Sequence, residues 1–543
     1  MRWIAVLVLN LALVGVGLGQ QSDTTAPPDA SKQTKNKPAA PAPTKMPEGK
    51  PEAAPAPPPE PPKDSGDKEE RFDMTEVAPI VTHHQITLNG QLLKYTATTG
   101  RLPIKRGDGK IEAEMFFVAY TLDGKEAAKR PLTFAFNGGP GSASVWLHMG
   151  ALGPKRVVLQ SNGFMPAAPY RMVDNENSLL DRSDIVMIDA IGTGFSRAAD
   201  GEMLKKFLSV KGDIDAFSEF IRLYITRNER WSSPLFILGE SYGTTRAAGI
   251  AGALASHGIS FNGITLLSMA VDFGTLEWAK NNDVPYVLLL PTYTMIAAYH
   301  KKLAPELTTD MKKTRQEVEQ WASGEYAQSL AKGDTITTDE RNHVIDQMMK
   351  YTGLQRQVID TQNLRIDVPT FTHNLLLDQK VRVGRLDGRF TGPDPGGPND
   401  QFFDPAGAAT LPPYTSVFNT YLRGDLGYKT DMPYLVFAYD QPGFAKWDWG
   451  SAETGFPNTG PGLRAAIVKN PYLKILVMEG YYDLATPYYA ANYTINHLDI
   501  GESFRKNISY ATYDSGHMVY IDQSQHLKMK KDLVNFMDQA LAP

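Results

Sequence analysis

A serine becomes a useful nucleophile when a base takes its proton and an acid orients that base. Gly239-Glu240-Ser241-Tyr242-Gly243 offers such a serine. The pentapeptide matches G-x-S-x-G, whose glycines permit a sharp strand-to-helix turn that lifts the hydroxyl clear of a sheet. Its context agrees: the apolar run 234–238 precedes it, and the alanine-rich, helix-compatible stretch 244–254 follows. In this arrangement the acid and then the base come later in the chain. His517, in Asp514-Ser515-Gly516-His517, stands just past an expected strand end, where a loop can carry it to Ser241. His497 and His526 have helical or polar surroundings that suit surface histidines. Asp483, in Gly480-Tyr481-Tyr482-Asp483, follows the preceding strand and supplies the acid. Its competitor, Glu479, belongs to the strand itself.

Hydrolysis also needs donors for the developing oxyanion. The backbone N–H of Tyr242, at the start of the expected helix, is one. The second belongs in the loop after the third strand of the central sheet. That loop reads Asn137-Gly138-Gly139-Pro140-Gly141-Ser142, and its glycine backbone can approach a substrate closely. A phosphate cradle is excluded, because no Gly-Lys-Ser/Thr follows.

These residues require a sheet whose strand ends share one edge. Short continuous apolar runs occur at 132–136, 185–188, 235–238, 264–269, 473–478 and 508–513, with helix-period sequence between them. Strands buried on both faces read this way, so the fold class is α/β with a mostly parallel central sheet. Asn89-Gly90, Asp108-Gly109 and Asp123-Gly124 punctuate alternating runs before it, which predicts antiparallel N-terminal strands. About 200 residues separate the runs at 264–269 and 473–478, too many for one crossover. Within them Thr337-Thr338-Asp339-Glu340 forms a capping box ahead of a helical face that stops at Gly353. The stretch 392–398 is rich in glycine and proline and reads as a loop. Residues 275–430 are therefore expected to form an inserted, largely helical cap, leaving 72–274 and 431–543 as the core.

The 543 residues are 42% hydrophobic and 21% charged, an ordinary globular balance. A net charge of −5 gives no nucleic-acid surface, and the absence of cysteine excludes disulfides, a thiol nucleophile and thiolate-bound metals. The chemistry calls for no metal and no cofactor. Residues 1–20 combine Met1-Arg2, an apolar run of about 15 residues and a small-residue exit, the pattern of a signal peptide cleaved near Gly19-Gln20. The run is short for the roughly 20 residues of a membrane span. An exported, periplasmic or secreted protein with no membrane span in its mature form is expected. Residues 21–71 hold thirteen of the 38 prolines and no leucine, isoleucine or valine, so a disordered spacer is expected there.

Together, Asn137–Ser142 in the glycine loop, Gly192-Thr193-Gly194-Phe195-Ser196, the serine pentapeptide, Gly480-x-x-Asp483 and Gly516-His517-Met518-Val519 resemble, in this order, the serine carboxypeptidases of peptidase family S10. The resemblance implies an α/β-hydrolase that removes residues from peptide C-termini. It implies Ser241, Asp483 and His517 as the triad and Gly139 and Tyr242 as oxyanion donors. It also implies that Asn137 and Glu240, assisted by Gly138, bind the substrate's terminal carboxylate. Two carboxylates in contact repel unless they share a proton, so rising pH should weaken binding and acidic pH should be favoured. Arg246, one helical turn past Ser241, is an alternative carboxylate partner. Met518 reads equally as pocket lining or core. Eukaryotic relatives often carry tryptophan and cysteine where this chain has Ala135 and Ser142; with no cysteine at all, a bacterial type is implied. The same triad also serves acyl transfer to alcohols and ester hydrolysis. A noncatalytic binding protein is the third reading, and a complete triad argues against it.

Overall fold

Asn89 and Gly90 both take positive φ, 50° and 77°, as a two-residue hairpin turn demands. They join β1 (Ile80–Leu88) to β2 (Gln91–Lys105), with Leu88 opposite Gln91. A second turn at Asp108-Gly109 leads into β3 (Ile111–Leu122), again antiparallel. This computed structural model describes residues 71–279, 281–394, 404–439, 443–450 and 455–542. The expected signal peptide, and the expected spacer up to residue 70, lie outside the described residues.

The main sheet continues through β4 (Leu132–Phe136), β5 (Asp184–Ile188), β6 (Leu235–Glu240), β7 (Gly263–Leu267), β8 (Lys474–Gly480) and β9 (Ile508–Tyr513). Its order is β1-β2-β3-β5-β4-β6-β7-β8-β9, with the short strand Arg197–Ala198 paired to β3 off this path. β3 meets β5 antiparallel, and every pairing from β5 to β9 is parallel. This is the α/β-hydrolase arrangement, and each expected apolar run forms one of its strands.

Both faces of the inner parallel strands β4 to β8 are buried, which explains their largely apolar runs, while the edge strand β9 is only partly covered. Phe134, Phe136, Ile237, Ile264, Leu266, Ile475 and Val477 pack on one side with α1 (Val210–Arg227) and α2 (Tyr242–Ser256). The alternate residues Ala135, Phe236, Leu238, Leu476 and Met478 pack on the other. There they meet α5 (Pro405–Gly424) and α6 (Gln523–Leu541). Each of the phenylalanine, leucine, isoleucine, valine and methionine side chains, fully buried, contributes about 1.5–3 kcal/mol.

Between β7 and β8 a third cluster, from Val287 to Val383, gathers α3 (Val284–Tyr299), α4 (Thr338–Thr352) and shorter helices into a core of its own. The capping box forms as read, with Thr337 and Glu340 satisfying each other's backbone, and Gly353 ends the helix at φ 68°. Helix α5, although inside 275–430, packs in the second core instead: Tyr414 meets Trp146, Phe418 meets His148, and the Tyr421 hydroxyl lies 3.0 Å from that of Tyr120 on β3. The loop expected at 392–398 begins differently. Thr391–Pro393 pairs antiparallel with Val381–Val383, because a two-stranded ribbon has edge positions that tolerate a proline. Residues from 395 on lie outside the described residues until Asp404.

Candidate active site

Ser241 sits between β6 and α2 with φ 62° and ψ −132°, a conformation that costs a non-glycine residue about 1–3 kcal/mol. The turn is so tight that a Cβ on Gly239 would lie 2.1 Å from Gly243 O. It is held by Ser241 N–H donating to Leu267 O and by Thr244 N–H and Oγ1 donating to Ser241 O. The strained residue is therefore fixed from both the neighbouring strand and its own helix.

β7 ends at Leu267, two residues before the end of the expected run. Ser268 adopts φ 53° and turns its hydroxyl onto His517 O at 2.7 Å. Met269 N–H then donates to Glu479 Oε1 at 3.0 Å. Glu479 thus stays in its strand as expected, and burial raises its pKa well above the carboxylate range.

His517 Nδ1 lies 2.7 Å from Asp483 Oδ2. Asp483 is wholly buried and saturated: its Oδ1 accepts from Ala485 and Thr486 N–H, and its Oδ2 from Thr486 Oγ1 at 2.6 Å. Burial opposes a charge on the imidazole, but Asp483 and Glu240 together outweigh it and raise the His517 pKa above its ordinary value. Ser241 and His517 line one cavity; among the described residues no hydrogen bond yet joins their side chains. Apo enzymes often hold this pair loosely until substrate enters.

The cavity walls also include Asn137, Gly138, Gly139, Tyr242 and Glu240. A Cβ on Gly138 would fall 2.4 Å from the amide nitrogens of Tyr242 and Gly243, so only glycine lets the loop after β4 lie against the start of α2. Neither Gly139 nor Tyr242 N–H is taken by another protein group among the described residues. Two unengaged amides next to a serine are what an oxyanion needs.

Glu240, the last residue of β6, faces Tyr520, whose hydroxyl donates to its Oε2 at 2.8 Å, and its other polar neighbour is Asn137. Burial pushes the Glu240 pKa up to about 7, against the opposing influence of His517, Tyr520 and Asn137. Tyr520 was not legible in advance: a tyrosine in an apolar run reads as core. Asn137 turns its Oδ1 to Leu147 N–H at 2.9 Å, which fixes its side chain.

Arg246 does not reach the cavity. It is fully buried beneath it, with Nε on Asp213 Oδ2 at 2.8 Å and Nη1 on Asn137 O at 2.6 Å. Its guanidinium also lies over Phe217, 4.2 Å from the ring centroid. It therefore props the Asn137 loop from below and, paired with Asp213, is no partner for a substrate carboxylate. Met518 lines the cavity and also packs in the second core. His497 is exposed, as read. His526 is buried instead, near Ala151 O, because the face of α6 that carries it packs on the sheet.

The inserted segment reaches this site through residues 384–389. Leu386 O accepts from His517 N–H, Arg385 O from Leu484 N–H, and Asp387 Oδ2 from Gly516 N–H.

A model of the serine carboxypeptidase family matches residues 91–386, more than half of the chain. The chain belongs to this family. As a serine-type carboxypeptidase hydrolase, it has Ser241 and the glycine loop inside the matched region, while Asp483 and His517 lie beyond it and are brought to the site by β8 and β9. No curated protein matches the chain. Among solved structures, a proline iminopeptidase from Mycobacterium smegmatis is similar at 13% identity and TM-score 0.34, covering 81% of this chain and 98% of its own. A thermostable carboxyl esterase from Bacillus coagulans is similar at 12% identity and TM-score 0.34, covering 82% and 99%.

Proposed function

We propose that this protein is an exported serine carboxypeptidase that hydrolyses the C-terminal peptide bond of peptides and favours acidic pH. The observation that carries the reading is the buried Glu240 carboxyl, with Tyr520 and Asn137 around it, in the same cavity as Ser241. A carboxyl that holds its proton up to about pH 7 can donate to a free carboxylate, which a protease cutting within chains would never meet.

In the reaction, Ser241 Oγ attacks the terminal peptide carbonyl while His517 takes its proton, and Asp483 steadies the imidazolium. The carbonyl oxygen becomes an oxyanion held by the Gly139 and Tyr242 amides. His517 then gives the proton to the leaving amine, the C–N bond breaks, and the terminal amino acid departs. Water, deprotonated by His517, attacks the acyl-enzyme, and Ser241 recovers its proton as the shortened peptide leaves. Asn137, Gly138 and Glu240 anchor the terminal carboxylate, and Met518 borders the departing residue.

Export rests on the pattern of residues 1–20; among the described residues no helix is long and apolar enough to cross a membrane. N-terminal sequencing of the mature protein recovered from cell fractions tests it, and an intact Met1 in the cytosol would refute it.

The deciding experiment compares an N-blocked dipeptide bearing a free C-terminus with its amidated twin from pH 4 to 8, with Ser241→Ala as control. Amidation should abolish or sharply slow turnover. Equal rates on both substrates would overturn the carboxypeptidase reading, and brisk transfer to alcohols without peptide hydrolysis would favour an acyltransferase or esterase.

A further inference from the structure

Arg385 lines the catalytic cavity, half-buried, on the side of the acid and base loops. Its backbone is pinned at both ends: its N–H donates to Asp404 Oδ2 at 3.1 Å, and its carbonyl accepts from Leu484 N–H at 3.0 Å. Leu484 follows Asp483 directly, so Arg385 is fixed relative to the triad. Its guanidinium, in contrast, makes no hydrogen bond or ion pair among the described residues. Asp404, the carboxylate closest to its backbone, is committed elsewhere. One oxygen takes the Arg385 and Leu386 amides and the other those of Ala406 and Gly407.

The charge of Arg385 acts on His517, Glu277 and Tyr439. Tyr439, Phe273 and Leu276 pack with the first core, whereas Tyr520, which holds Glu240, belongs to the second, and it is the Tyr439 wall that Arg385 faces. Around it the cavity is apolar, with Phe273, Leu276 and Tyr439. Glu277 is buried with one oxygen unpartnered, yet forms no ion pair with it. An unpaired guanidinium on a rigid backbone, set among apolar walls, suits a side chain of methylenes ending in a carboxylate.

We propose that Arg385 is a specificity-determining residue that selects substrates with an acidic side chain, glutamate above all, on the acyl side of the scissile bond. The inference rests on the carboxypeptidase reading for which bond is cut, but concerns only the acyl half of the substrate.

The test uses two N-blocked dipeptides, Glu-Leu and Gln-Leu, and the α-p-nitrophenyl esters of the same blocked Glu and Gln. Wild-type kcat/KM should favour Glu over Gln by about tenfold or more in both series, the scale of a charged hydrogen bond in a partly desolvated site. Arg385→Met should bring that ratio to about one through loss on the Glu substrates. Arg385→Lys should keep part of it, and Arg385→Glu should turn the preference toward a Lys acyl residue. Esters turned over with the Glu preference, beside uncleaved peptides, would sink the carboxypeptidase reading and uphold the assignment of Arg385. A wild-type ratio near one, a ratio unchanged in Arg385→Met, or a loss in that variant of the discrimination between free acid and amide would overturn it.

Discussion

Tyr520 donates its hydroxyl to Glu240 across 280 positions of sequence, and so occupies one lone pair on Oε2 of a buried carboxyl. The remaining oxygen is left to hold a proton for a substrate carboxylate. Because the tyrosine donor favours the ionised glutamate, Tyr520→Phe should let Glu240 keep its proton to higher pH. The alkaline fall in kcat/KM on a free-acid dipeptide is expected to move upward by about one pH unit. A profile superimposable on the wild type would show that this hydroxyl does not tune binding.

Glu240→Gln removes the titration while keeping a donor. With the wild-type carboxyl protonated below about 7 and ionised above it, kcat/KM should fall roughly tenfold per pH unit on the alkaline side. The glutamine variant should lose that limb and keep the acid-side fall, which belongs to protonation of His517. Steady-state kinetics from pH 4 to 9 separates the two. An alkaline limb persisting in the variant would exclude Glu240 as its source.

The φ of 62° at Ser241 makes a prediction about stability as well as rate. Ser241→Gly should gain about 1 kcal/mol in denaturant unfolding, since glycine relieves the strained backbone at some cost in chain entropy. Both Ser241→Gly and Ser241→Ala should lower kcat by about 10⁴-fold or more and abolish labelling by a fluorophosphonate. An unaltered rate in either would remove the serine from the mechanism.

Arg246 and Asp213 form a fully buried ion pair under the oxyanion loop. Arg246→Met leaves Asp213 without its partner and should cost about 3–5 kcal/mol, measured by chemical denaturation. Replacing both by apolar residues should recover most of that loss. Activity should remain depressed in the double variant, because Asn137 O has still lost its donor.

The inner parallel strands are readable because burial on both faces keeps them largely apolar, so 132–136 coincides with its strand; 508–513 coincides as well, although that edge strand is only partly buried. Ser241, Asp483 and His517 were readable because strand ends impose glycines and short loops around them. What escaped was set by distant packing. Nothing near Tyr520 says that its ring lies beside Glu240, and the helical spacing that placed Arg246 near Ser241 could not reveal Asp213 waiting on α1. Apolar character extends the expected strand to Met269, whereas the chain turns at Ser268, whose hydroxyl donates to His517 O. Arg385 gave no local signal at all, being one charge in a long insertion.

The bonds from Leu386 to His517, Arg385 to Leu484 and Asp387 to Gly516 tie the insertion to the two loops that carry the base and the acid. The insertion is thereby stitched to both. Swapping it for a foreign counterpart would transplant substrate choice and reaction geometry together, unless the graft kept residues 384–389.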